Sequence, residues 1–138
     1  MTSILCDINI FLDIFLAREP FYRPAAEVFK AVEERHIRGY ICALSFPTLF
    51  YILAKELSRQ KALKTLEKIR IVYKVAPVTQ KTVDLALVSE FKDFEDAVQY
   101  YSAVTARVDY LVTRNKVDYV NGKLPVLLPE ELLALDEI

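Results

Sequence analysis

Short apolar runs of strand length alternate with longer helical stretches along this 138-residue chain, and that alternation limits the possible folds more than any other feature. Thr2 to Cys6, Tyr40 to Leu44, Lys74 to Pro77, Tyr110 to Val112 and Leu124 to Leu128 read as strands. Strands separated by helices of this length are joined as crossovers, so they lie parallel with the helices packed on the sheet. The predicted class is therefore α/β, and the length suits one domain spanning residues 1–138.

The intervening stretches carry their own signals. Ile8 to Leu16 is apolar on nearly every side, with Asp13 its one charge, which predicts a buried helix. From Pro24, helical spacing links Ala25, Val28, Phe29, Val32 and a half-buried His36, with Gly39 as the stop. Ser45 is the expected cap of the next helix, with Pro47 in its first turn. That helix is apolar from Leu49 to Ala54. One face must meet the core, leaving Phe50, Tyr51 or Leu53 outward for a protein partner or a homodimer to cover. Lys61 to Tyr73 predicts a basic amphipathic helix with Leu63, Leu66, Ile69 and Ile71 inward. Thr79 should cap a helix over Thr82 to Phe91, and Asp93 should start another that continues through Ala97 to Ala106. Asn121-Gly122 reads as a turn, and Pro129-Glu130-Glu131 opens a terminal helix with acids in its first turn.

Several functions are excluded or disfavoured. Apolar runs break well before the roughly 18 residues that a membrane span requires. The N-terminus lacks the basic region of a signal peptide, and Asp7 and Asp13 interrupt its apolar run, so the expected location is the cytoplasm. Cys6 and Cys42 lie in apolar runs and read as buried thiols, while His36 is the only histidine, so a Cys/His zinc site is excluded. With Gly39 and Gly122 as the only glycines, no phosphate-binding glycine loop exists. The net charge of −1 argues against broad nucleic-acid binding, yet seven basic residues fall between Lys55 and Lys74 against two acids. Such a run is either a solvated helix face or a phosphate-contacting stripe.

One constellation carries chemistry. Asp7 ends the first strand, Asp93 and Asp96 open a helix, and the strand at Tyr110 to Val112 runs into Thr113, Arg114, Asn115 and Asp118. Ligands of open parallel sheets bind beyond the carboxyl ends of the strands, so these groups should converge. Each aspartate alone has a structural reading as a helix cap or turn residue. Together they repel unless a cation or a proton relieves them. Arg114 is the competing counter-charge: it either pairs with Asp96 or Asp118, or contacts a phosphate.

The blocks DINIFLD, DFEDAVQYYSA and VDYLVTRNKVDY, followed by LPVLLPEEL, resemble the PIN-domain family of metal-dependent ribonucleases, in particular its branch of VapC-type toxins. The resemblance spans essentially the whole chain. It implies a three-layer α/β/α sandwich, Mg²⁺ or Mn²⁺ as cofactor, RNA as substrate, and a cognate antitoxin protein as partner. By position, Asp7 matches the family's first metal-binding aspartate and Asp96 its third acid. The implied metal ligands are Asp7, Asp96 and Asp118, with Asp93 joining them in the catalytic cluster. Asn9, Thr113, Arg114 and Asn115 are the implied substrate contacts. Two positions depart from the family pattern: Thr48 stands near the usual second acid, and Asn115 stands where many members have an aspartate. These departures favour a rival reading, a PIN-like module that binds RNA or protein without cutting.

Overall fold

A computed structural model describes residues 1–119, 122–136 and 138. In chain order the elements are β1 (Ser3–Cys6), α1 (Ile8–Phe15), α2 (Tyr22–Glu33), β2 (Arg38–Cys42), α3 (Ser45–Glu56) and α4 (Arg59–Val72). There follow β3 (Lys74–Ala76), α5 (Gln80–Leu87), α6 (Phe94–Thr105), β4 (Tyr110–Val112), a 3-10 turn (Lys116–Tyr119), β5 (Val126–Leu127) and α7 (Pro129–Leu133). The strands form one parallel sheet in the order β3-β2-β1-β4-β5.

Strand alternation sorts the core into two layers. Ile4, Cys6, Ile41 and Val112 point to one face and pack with residues of α1, α2, α3, α4 and α7. Leu5, Cys42, Ala76 and Leu111 point to the other and pack with α5 and α6. The result is the expected α/β/α sandwich. Both cysteines are free and buried. No helix among the described residues is long and apolar enough to cross a membrane.

The helix ends differ from expectation in instructive ways. Gly39 stops no helix; it lies inside β2, because a Cβ there would come within 2.7 Å of the Tyr73 ring and of Val32. α2 instead ends at Glu33, and Arg35 takes the left-handed conformation (φ 64°) that lets Arg35 N–H reach the Val32 carbonyl and His36 N–H the Ala31 carbonyl. The same motif closes α1 through Ala17 (φ 50°) and α6 through Arg107 (φ 60°). His36 therefore sits beyond α2 and is exposed, not half-buried in it.

Ser45 is not a cap. It is the first residue of α3, fully enclosed, and its hydroxyl donates to Gln99 Oε1 at 3.4 Å. In α3, Leu53 is buried with Leu49, and Tyr51 is the residue left outward, 68% exposed. In α4, Ala62 and Ile69 are buried, whereas Leu63 and Ile71 are exposed, because they lie well off the stripe that those two residues define. Thr79 does cap α5, in a reciprocal box with Thr82, but the helix ends at Leu87. β5 is shorter than its apolar run, since Pro125 has no N–H to give and only its carbonyl joins the ladder, accepting from Leu111 N. Asn121, half of the expected turn, lies outside the described residues.

Candidate functional site

The strand order reverses between β1 and β4: successive elements build outward to β2 and β3 on one side, and to β5 on the other. This is the switch point at which open α/β sheets form clefts. β1 ends there with Asp7, whose N–H donates to the Val112 carbonyl at 2.9 Å, so the aspartate is pinned to the end of β4.

Asp7 is almost wholly enclosed, and three donors define the setting of its carboxylate. Its Oδ1 accepts from Asn9 N–H at 2.8 Å, which also caps α1. Its Oδ2 accepts from the Thr113 hydroxyl at 3.1 Å and from the Tyr119 hydroxyl at 2.8 Å. The same Tyr119 oxygen lies 3.4 Å from Asp96 Oδ1. One phenol, delivered by the 3-10 turn after β4, thus joins the carboxylate that follows β1 to a carboxylate in the first turn of α6. Asp96 itself is set by Asp93, whose Oδ1 accepts the Asp96 N–H at 3.0 Å and caps α6.

The electrostatics follow from this crowding. Burial raises the Asp7 carboxyl, the Asn9, Tyr119 and Thr113 bonds pull it back down, and the charge of Asp118 adds to the rise. Asp96 is pushed up to about 7 by burial first, then by Asp93, Asp7 and Asp118. Burial and the two carboxylates drive the Tyr119 hydroxyl far above its ordinary value, so it remains a proton donor. Glu95, half-buried beside Asp96, is also raised, by burial and then by Asp93 and Asp7.

The expected residues divide into three groups. Asp7 and Asp96 are brought together through Tyr119. Asp118 is exposed on the 3-10 turn, close enough to act on both by charge, and Asp93 serves as the cap. Asn9 and Asn115 leave surface toward solvent, whereas Thr113 is fully buried and its hydroxyl is spent on Asp7 and on the Asn115 N–H. Thr113, an expected substrate contact, thus lies enclosed against Asp7 in this structure. Arg114 pairs with neither Asp96 nor Asp118; its Nε lies 2.9 Å from Asp13 Oδ2. Sequence reasoning missed Tyr119 and Glu95. Glu95 carried a usable signal, being the acid between Asp93 and Asp96.

Mg²⁺ and Mn²⁺ prefer hard oxygen ligands and keep several waters beside one or two carboxylates. Asp7 and Asp96 suit one such cation, since both are carboxylates whose proximity raises their affinity for a positive charge. Among the described residues, no group of three or more His, Cys, Asp or Glu side chains could hold an ion.

The comparisons agree with this architecture. The sequence matches the PIN-domain family profile over residues 3–117. No curated protein matches it. Among solved structures, a toxin–antitoxin complex from Klebsiella pneumoniae is similar at 23% identity and a TM-score of 0.70, covering 92% of this chain and 98% of that one. Mycobacterium tuberculosis VapC20, described as a sarcin–ricin loop cleaving toxin, is similar at 15% identity and a TM-score of 0.70, covering 87% and 95%. VapBC2 from Rickettsia felis, bound to a promoter DNA fragment, is similar at 13% identity and a TM-score of 0.68, covering 92% and 98%.

Proposed function

This chain belongs to the PIN-domain family, and from that premise we propose that it is a metal-dependent endoribonuclease that hydrolyses single-stranded RNA. The observation that carries the reading is the meeting of Asp7 and Asp96 at the sheet's switch point, around one phenolic hydroxyl.

Asp7 and Asp96 are the residues that would hold Mg²⁺ or Mn²⁺. When bound, the cation supplies acidification of water and neutralisation of charge on the phosphodiester. The protein's part is positional. Asn9 N–H, Thr113 and Tyr119 fix the orientation of Asp7, and Asp93 fixes the first turn from which Asp96 projects. Asp118 is the exposed carboxylate suited to orient an attacking water, and Asn115 offers uncharged hydrogen bonds beside it. Arg114 turns its Nε to Asp13, and with 23% of its side chain exposed its remaining guanidinium N–H groups are the proposed contact to a phosphate. On α4, Lys61, Lys64 and Lys68 are exposed at helical spacing, and no ion pair among the described residues involves them, which supports a phosphate-bearing substrate.

The reading extends to partners. The similar solved structures include toxin–antitoxin complexes, which supports a cognate antitoxin for this chain. The outward Tyr51 on α3 supports a homodimer or that antitoxin as its cover.

A second reading is favoured by specific observations: Thr48 and Asn115 are neutral, and among the described residues no three-carboxylate group is assembled. A PIN module of that kind binds RNA or protein without cutting it. The deciding experiment is cleavage of a fluorescent single-stranded RNA with Mn²⁺ or Mg²⁺ by wild type and by Asp96→Asn. Metal-dependent cleavage that vanishes in the variant supports the nuclease; RNA binding with no turnover in either supports the module.

A further inference from the structure

The carboxylate of Asp7 has about four lone-pair positions to offer. Three are taken in this structure: one on Oδ1 by Asn9 N–H at 2.8 Å, and two on Oδ2 by the Thr113 hydroxyl at 3.1 Å and the Tyr119 hydroxyl at 2.8 Å. The Asn9 and Thr113 bonds are built into the cap of α1 and the end of β4. The Tyr119 bond differs. It comes from a short 3-10 turn, and its oxygen also sits 3.4 Å from Asp96 Oδ1, so the phenol lies between the two carboxylates that face each other.

We propose that the Tyr119 hydroxyl competes with the divalent cation for the Asp7 and Asp96 carboxylates, so that Tyr119 sets the metal affinity of the site. The inference rests on the reading of Asp7 and Asp96 as metal ligands. Two effects act in the same direction. The hydroxyl occupies an Asp7 lone pair that a cation could use, and its proton offsets part of the repulsion between the carboxylates, lowering the gain a cation brings. Tyr119 is a positioning residue in this scheme: it touches the ligands and tunes how readily they exchange a proton-donating partner for a metal. Phenylalanine keeps the ring, which is 2% exposed and packs against Phe91 with centroids 6.0 Å apart, and removes the hydroxyl alone.

The test is a calorimetric Mn²⁺ titration of wild type, Tyr119→Phe and Asp96→Asn after removal of metal with a chelator, with thermal unfolding of each variant with and without Mn²⁺. The expected result is Mn²⁺ binding in Tyr119→Phe that is roughly tenfold tighter than in wild type, the ratio that loss of one charge-assisted hydrogen bond gives. The metal-free variant should melt lower and gain more from Mn²⁺ than wild type does. Tyr119→Leu, which lacks the same hydroxyl, repeats the measurement should the phenylalanine variant fold poorly. Binding that is unchanged or weaker in the folded variants overturns the competition and makes the hydroxyl a support for the bound form. Wild type that binds no Mn²⁺, or binds it as Asp96→Asn does, removes the metal-site reading itself and the inference with it.

Discussion

Arg114 is tied to Asp13. Its Nε lies 2.9 Å from Asp13 Oδ2, and its guanidinium carbon stands 4.2 Å from the centroid of the Phe21 ring. Asp13, in the middle of α1, is fully buried, and neither of its oxygens accepts an aligned hydrogen bond. Burial pushes its carboxyl up against the pull of Arg114 and Arg18. The loop after β4 is thereby fastened to α1, the helix that Asp7 caps.

Removing one member of this pair leaves a buried charge without its partner. Arg114→Met is expected to lower stability by about 2–3 kcal/mol, less than a fully enclosed pair because the arginine is partly hydrated. Asp13→Leu combined with Arg114→Met should recover most of that loss. Urea unfolding at pH 7 measures both, and a double variant no better than the single one would show that the pair is not the cause.

The carboxylates at the switch point make the metal-free protein sensitive to pH. For an acid whose folded pKa is raised, the stabilising contribution is full below the unfolded value and is lost as pH rises through the folded one. Burial and the neighbouring carboxylates raise Asp96 from its ordinary value of 3.8 to about 7, so stability in the presence of a chelator should fall between these limits. Asp96→Asn removes that group's part of the slope and should melt higher than wild type at pH 8. Thermal unfolding across the range checks the sign; a wild-type stability that rose over this window would contradict the crowding.

Three helices end on left-handed residues that are not glycine: Ala17, Arg35 and Arg107. Each holds a conformation that costs an L-residue roughly 1–2 kcal/mol. Arg107→Gly and Ala17→Gly are therefore expected to stabilise the protein by about 0.5–1 kcal/mol each, after the entropy that glycine returns to the unfolded chain. Denaturant midpoints that moved down would show that the side chains contribute more than the strain.

The lysines of α4 provide a substrate-side test. Lys61→Glu, Lys64→Glu and Lys68→Glu together should weaken single-stranded RNA binding and reduce the slope of log affinity against log salt by about 2, the share of three phosphate contacts on a single strand. Fluorescence anisotropy with Asp96→Asn protein, across a salt series, reads both. An unchanged slope would return the stripe to being a solvated face.

Much of this was legible in advance where local chemistry decides. Asp93 and Thr79 cap helices because their side chains reach N–H groups three residues on, and Asp7 ends its strand because an enclosed carboxylate needs donors at a strand–helix junction. The misreadings arose where tertiary packing overrode local preference. Gly39 was needed for its lack of a side chain under Tyr73, and an arginine took the helix stop in its place. Ser45 was needed by Gln99 across the sheet edge, so α3 begins without a side-chain cap. Tyr119 was invisible because one tyrosine among eight, in a chain rich in aromatics, reads as core. Only the register of β1 against β4 reveals that its hydroxyl, and not its ring alone, has a partner.

The position of β1 also bears on the order of synthesis. It is the central strand, yet it comes first in the chain, and its neighbour β4 begins more than a hundred residues later, where Ser3 N–H meets Asp109 Oδ2 at 2.8 Å. β1, β2 and β3 can pair as soon as residue 76 has emerged, because their register needs nothing beyond it. Asp7 must wait with one flank open until β4 arrives, and the phenol that closes its surroundings comes later still. A chain emerged only as far as residue 76 therefore lacks both Thr113 and Tyr119, and Asp7 has its full set of donors only once residue 119 has emerged.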